Sequence, residues 1–129
     1  MAGLTLILLP ERFAVCRLAP DAPIPPLPLR ASLVAMTLTA EELSLVLPET
    51  ATPEGVKVEG GWRALRVAGV LDFSLTGVLA SLAAPLAQAG VSIFAVSTYD
   101  TDYLLVRESD LEHTIGTLVG VGYEVRRGA

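Results

Sequence analysis

Apolar positions along the chain come in short runs divided by turn-forming residues. "LTLILL" (4–9) ends at Pro10, and "RFAVCRL" (12–18) ends at the proline-rich "APDAPIPPLP" (19–28). Both runs predict strands. The segment after them admits a loop or one helical turn but no long helix, because each proline removes a backbone N–H and crowds the turn before it. "ASLVAMTLT" (31–39) and "ELSLVLP" (42–48) again predict strands, and a loop follows to a possible boundary at Gly60-Gly61. In the second half "WRALRVAG" (62–69) alternates with the period of a strand. "SLTGVLASLAAPLAQAG" (74–90) predicts a helix, with Val78, Leu82, Leu86 and Ala89 on one face and Gly90 as its C-terminal stop. "VSIFAVS" (91–97) and "DYLLVR" (102–107) are strand-like. "SDLEHTIGTLVG" (109–120) predicts a second helix, opened by a Ser109/Glu112 capping box and striped with Leu111, Ile115 and Leu118. "YEVRR" closes as a strand, so the second half reads β-α-β-β-α-β, the ferredoxin-like order.

Two details refine this pattern. The first helix carries no charge from Ser74 to Gly90, so its outer face is expected to be covered by a second layer or a partner subunit. Pro85 inside it should remove one backbone hydrogen bond. An internal repeat also emerges at a shift of 60 residues. "AMTLTAEELSLV" (35–46) lies on "AVSTYDTDYLLV" (95–106), placing Thr37 on Ser97 and Glu42 on Asp102, which suggests one β-hairpin built twice.

Composition narrows the function classes. With 129 residues, 52% hydrophobic and 18% charged, the chain can bury a real core and is not disordered; it also suggests surface covered by a dimer or by two packed layers. The net charge of −5 is spread evenly over both halves, leaving no basic face for nucleic acid. Arg126 and Arg127 are expected to be solvated. Cys16 is single and lies in an apolar run, which points to an inert buried thiol and a reducing, cytoplasmic setting. The N-terminal apolar run is too short for a membrane span, so no membrane partner is expected.

Catalytic chemistry finds little footing. The single histidine, His113, lies off the apolar stripe of its helix, without the burial and orienting partner that a general base requires. Asp100 and Asp102 are too few for a metal cage, and "GVGYEV" follows a helix rather than opening one, unlike a dinucleotide fingerprint. No enzyme activity, metal or cofactor is therefore expected. Two loops stand out. "VLDFSLTG" (70–77) leads into a helix N-terminus, whose unpaired N–H groups suit a carboxylate. "STYDTD" (97–102) offers hydroxyls, a phenol and carboxylates, which suit an ammonium. Together they could take a zwitterion; equally, Ser74 or Thr76 could simply cap the helix and Asp100 stabilise a turn.

The segments "ASLVAMTLTAEELSLVLPE", "EGVKVEGGWRALRV" and "VAGVLDFSLTGVLASLAAPLAQAGVSIFAVSTYDTDYLLV" resemble a small bacterial family of ACT-domain proteins with two ACT-like units in tandem. That family is similar to the ACT pairs of cytosolic arginine sensors and aspartokinase regulatory regions. The resemblance implies an α+β fold of two ferredoxin-like (βαββαβ, ACT-type) units, with antiparallel sheets and helices on one face. An abbreviated unit would span 1–60 and a complete one 61–129. It further implies a non-catalytic regulator or sensor, a homodimer, that binds an amino acid or similar small molecule at an ACT–ACT interface. The residues implied for the ligand are Asp72, Phe73, Ser74, Leu75, Thr76, Gly77 and Val78, with Ser97, Thr98, Tyr99, Asp100, Thr101 and Asp102. Leu75 stands where the arginine-sensor relatives carry an acid, so arginine is not the ligand implied. The other expectation is a protein–protein interaction module with no small-molecule ligand.

Overall fold

Seven strands and two helices are laid down in the order β1 (Thr5–Leu18), β2 (Ala35–Leu38), β3 (Leu43–Pro48), β4 (Lys57–Val67), α1 (Val78–Gln88), β5 (Ile93–Ser97), β6 (Asp102–Arg107), α2 (Leu111–Gly120) and β7 (Glu124–Arg127). The structure is a computed structural model and describes residues 4–69 and 77–128. It divides into two units, Met1–Pro10 with Arg63–Ala129, and Glu11–Trp62, so that β1 and β4 each contribute to both. The unit expected over 61–129 thus also takes in the N-terminal residues.

In the first of these units the strand order is β7-β1-β4-β6-β5. A split βαβ arrangement would set the last strand beside the first. Here β1 takes that place, with the Ala68 N–H donating to the Thr5 carbonyl at 2.8 Å, and β7 pairs in parallel along Thr5–Leu8. Leu6 and Leu8 of β1, Leu65 and Val67 of β4, and Leu104 and Val106 of β6 form one core with Val78, Leu82 and Leu86 of α1 and Leu111 and Leu118 of α2. Of the expected apolar stripes, Val78, Leu82, Leu86, Leu111 and Leu118 are buried and Ala89 and Ile115 half-buried, while α2 also buries Thr114. The outer face of α1 exposes Ala80, Ala84, Ala87 and Gln88. Arg126 and Arg127 are exposed as expected, but each is ion-paired within this unit, to Glu124 at 2.8 Å and to Glu112 at 3.5 Å.

The helix ends follow from local chemistry. Gly90 adopts φ 77°, which costs a residue without Cβ little, and lets Val91 N–H reach Leu86 O at 2.9 Å and Gly90 N–H reach Ala87 O at 3.1 Å. The same pair of bonds closes α2, from Tyr123 to Leu118 and from Gly122 to Val119. The capping box does not form: Glu108–Asp110 make a 3-10 turn, Asp110 precedes the helix, and no side chain caps it. Pro85 has a specific compensation. It has no N–H to offer the Ser81 carbonyl one turn earlier, and the Tyr123 phenol donates to that carbonyl instead, at 3.2 Å. The phenol shares this proton with Ser81 Oγ at 2.9 Å, whose own proton goes to Val78 O at 2.7 Å.

The second unit has the order β2-β3-β1-β4, with β3 antiparallel to both β2 and β1. Its core is Ala14, Cys16, Leu43, Leu45 and Leu47, with Leu18, Leu27, Val34 and Val56 packed against it. Cys16 is buried, and burial pushes its thiol up, partly offset by a hydrogen bond with Thr52; it is an inert core residue. No helix crosses this sheet; residues 19–34 run over it as a proline-rich strap. Ser32 pins the strap, its N–H and Oγ both donating to the Glu11 carboxylate. Burial works to raise the Glu11 carboxyl, but these two bonds, together with one to its own backbone, outweigh it and hold it below the ordinary range.

Three strand expectations change: β4 begins at Lys57 and runs through Gly60 and Gly61, where a loop and a boundary were expected. Residues 5–18 form one strand through Pro10, not two. β1 pairs with β7 over Thr5–Leu8 and with β3 over Phe13–Leu18, so Pro10 falls between those two ladders and its missing N–H is called on by neither of them. The strand expected over 31–39 is only Ala35–Leu38.

Candidate ligand-binding site

The hairpin of β5 and β6 pairs Ser97 with Asp102 and leaves a four-residue loop, 98–101. Thr98 closes it: its N–H donates to Thr101 O at 2.8 Å, its Oγ1 donates to the same carbonyl at 3.1 Å and accepts from Thr101 N–H at 3.2 Å. Ser97 Oγ donates to Asp102 Oδ1 at 2.6 Å across the last pair. Thr101 points the other way. Its side chain is buried, and its Oγ1 donates to the Val67 carbonyl at 2.7 Å. Most buried hydroxyls are hydrogen-bonded, and this one ties the turn to the end of β4, the strand that leads into residues 70–76. Tyr99 and Asp100 are exposed at the tip, Tyr99 at 80%.

The structure thus joins Ser97 to Asp102 and Thr98 to Thr101 by direct bonds, and the buried Thr101 hydroxyl anchors the turn. On the other expected wall, Gly77 has φ 79° at the start of α1, a conformation that suits glycine, and its carbonyl accepts the first helical bond from Ser81 N–H at 2.8 Å. Val78 is part of the core. Asp72, Phe73, Ser74, Leu75 and Thr76 lie outside the described residues. His113 is exposed, as expected, with Nε2 3.2 Å from the Ala89 carbonyl at the end of α1.

The hairpin repeat is real but its offset differs. In the first hairpin Leu38 pairs with Leu43 around loop 39–42, and Thr39 closes that loop with the same bonds to Glu42 that Thr98 makes to Thr101. Leu38 and Leu43 therefore correspond to Ser97 and Asp102, an offset of 59 rather than 60. The 3-10 turns Glu49–Ala51 and Glu108–Asp110 follow at the same offset, and each opens with a glutamate paired to an arginine: Glu49 with Arg12 at 3.5 Å, Glu108 with Arg63 at 3.7 Å. Matching hydroxyls and acids by type alone concealed this. Where the second hairpin holds a hydroxyl and a carboxylate, the first holds two leucines.

Residues 57–119 match the family model described as ACT domain. The protein Atu0741 from Agrobacterium tumefaciens, a solved structure, is 34% identical with a TM-score of 0.90, over 98% of this chain and 94% of that one. The chain belongs to one family with that protein, and it carries an ACT domain. It is 36% identical over 104 residues to the human "Cytosolic arginine sensor for mTORC1 subunit 1", covering 69% of this chain and 30% of the relative. It thus spans under a third of that sensor's length. The ligand-free regulatory subunit of aspartate kinase from Thermus thermophilus shares the fold, with a TM-score of 0.65 at 11% identity over 93% of this chain and 97% of that one. No helix among the described residues is long and apolar enough to cross a membrane.

Proposed function

We propose that this chain is a non-catalytic cytoplasmic regulator that binds a free amino acid, or a similar small zwitterion, where ACT units meet in a homodimer. The tandem plan, an abbreviated unit followed by a complete one, belongs to the same reading. The observation that carries it is the turn 97–102. Its Ser97–Asp102 pair is fixed in place, and Thr101 locks it to the end of the strand feeding the other expected wall. The Asp102 carboxylate would meet the α-ammonium, with Asp100 beside it at the tip, and Gly77 at the start of α1 would let the backbone approach the carboxylate end. The ACT domain match and the likeness to a named arginine sensor support a regulatory amino-acid ligand. Ligand would act by favouring one arrangement or assembly state through its differential affinity.

A thermal-shift screen against the twenty amino acids tests this. At one hundred times its dissociation constant a ligand stabilises by about 2.7 kcal/mol. Asp102→Ala should abolish the shift and leave the unliganded Tm unchanged. A flat response from well-folded protein overturns the reading. It would leave an interaction module without a ligand, which the exposed Met36 and Leu38 of β2 favour.

A further inference from the structure

The two helices that seal the sheet of the first unit have no counterpart in the second, where the strap and the loop 52–56 do that work. The cover is incomplete. Between the end of β1 and the start of β4 it leaves a cleft of about 310 Å³, at the lower end of the range of small-molecule sites. Leu18 and Val56, both packed against the unit's core, form its apolar part, with Ala19 and Ala22 beside them. Arg17 and Lys57 supply the only charges in its lining; Asp21 and Glu54, their acidic neighbours in the chain, are not part of it.

Arg17 is held rather than waving in solvent. Its Nη2 donates to the Glu41 carbonyl at 3.1 Å, which orients the guanidinium and leaves other N–H donors for a ligand. Two cations with no carboxylate between them, beside an apolar floor, favour a group of opposite sign with a short hydrocarbon tail. We infer that this cleft binds a small aliphatic carboxylate, its carboxylate between Arg17 and Lys57 and its tail against Leu18 and Val56. This site is separate from the turn 97–102 and stands or falls independently of it.

Sodium isovalerate, titrated into the millimolar range against the full chain and followed by amide NMR, tests the inference. The expected result is a saturable set of shifts at Ala19, Ala22, Gly55 and Lys57. Isopentylamine and isoamyl alcohol, which keep the tail and reverse or remove the charge, should not reproduce it. Lys57→Gln should weaken the affinity up to about fivefold, as loss of one exposed ion pair does, with the unliganded spectrum otherwise intact. Arg17→Lys, which keeps the charge and loses the planar fork, should weaken it as well. Shifts that fail to saturate, or an equal response to the alcohol, overturn the inference. Shifts confined to 97–102 also overturn it while leaving the amino-acid reading standing.

Discussion

The two units carry the same strand plan under different covers. The opening strands share one alternation: Phe13, Ala14 and Cys16 are buried around half-buried Val15, as Ala64, Leu65 and Val67 are around Arg66. Each hairpin closes on a threonine at the start of its four-residue loop, and each third strand ends in a 3-10 turn whose glutamate meets an arginine. Yet Glu11–Trp62 covers its sheet with a strap of loop, and the other unit covers its sheet with α1 and α2. Buried strands and turn chemistry are thus enough to specify the frame. What lies on the frame decides which unit has a deep core and which keeps an open cleft.

The largest test of that contrast is in the covers. Leu82→Ala, at a fully buried position of α1, should cost about 2–5 kcal/mol in urea unfolding. Leu27→Ala, half-buried in the strap, should cost well under half as much. Equal losses would mean that the strap is as integral a cover as a helix. An intermediate effect is expected at Tyr123→Phe, which strands the Ser81 carbonyl and should cost about 1–3 kcal/mol. In a Pro85→Ala background the restored N–H can bond that carbonyl, so the same substitution should cost distinctly less; the double-mutant cycle measures the difference.

The smallest effect concerns Glu11. Its carboxyl is depressed in the folded state, so its stabilisation is complete above the unfolded carboxyl value near 4.3 and is lost as pH falls through the lower folded one. Wild type should therefore lose stability below about pH 4 more steeply than Glu11→Gln, measured as urea midpoints between pH 3 and pH 7. Parallel curves would remove Glu11 from the account of how the strap is pinned.

Much of this was legible in the residues. Both hairpins, both helices with their buried stripes, the inert Cys16 and the exposed His113 follow from period, turn chemistry and burial. Three features were not, each because it depends on a partner distant in sequence. Pro10 suggests a break, but the strand passes through it between the ladders with β7 and β3, where neither of those two calls on its missing donor. Nothing in residues 4–9 says that they enter the sheet of residues 63–128 between its first and last strands. Pro85 had no local rationale, because the group that compensates it is a tyrosine 38 residues later in the chain. In the candidate site the polar residues of 97–102 were legible as a group, whereas the inward role of Thr101 needed the Val67 carbonyl to be located.

The most direct test of the central claim is an amide NMR titration with whichever amino acid stabilises the chain most. One saturable set of shifts is expected at Thr98, Tyr99, Asp100, Asp102 and Gly77, absent in a folded Asp102→Ala variant. Saturable shifts that leave 97–102 untouched, or that persist in that variant, would contradict it.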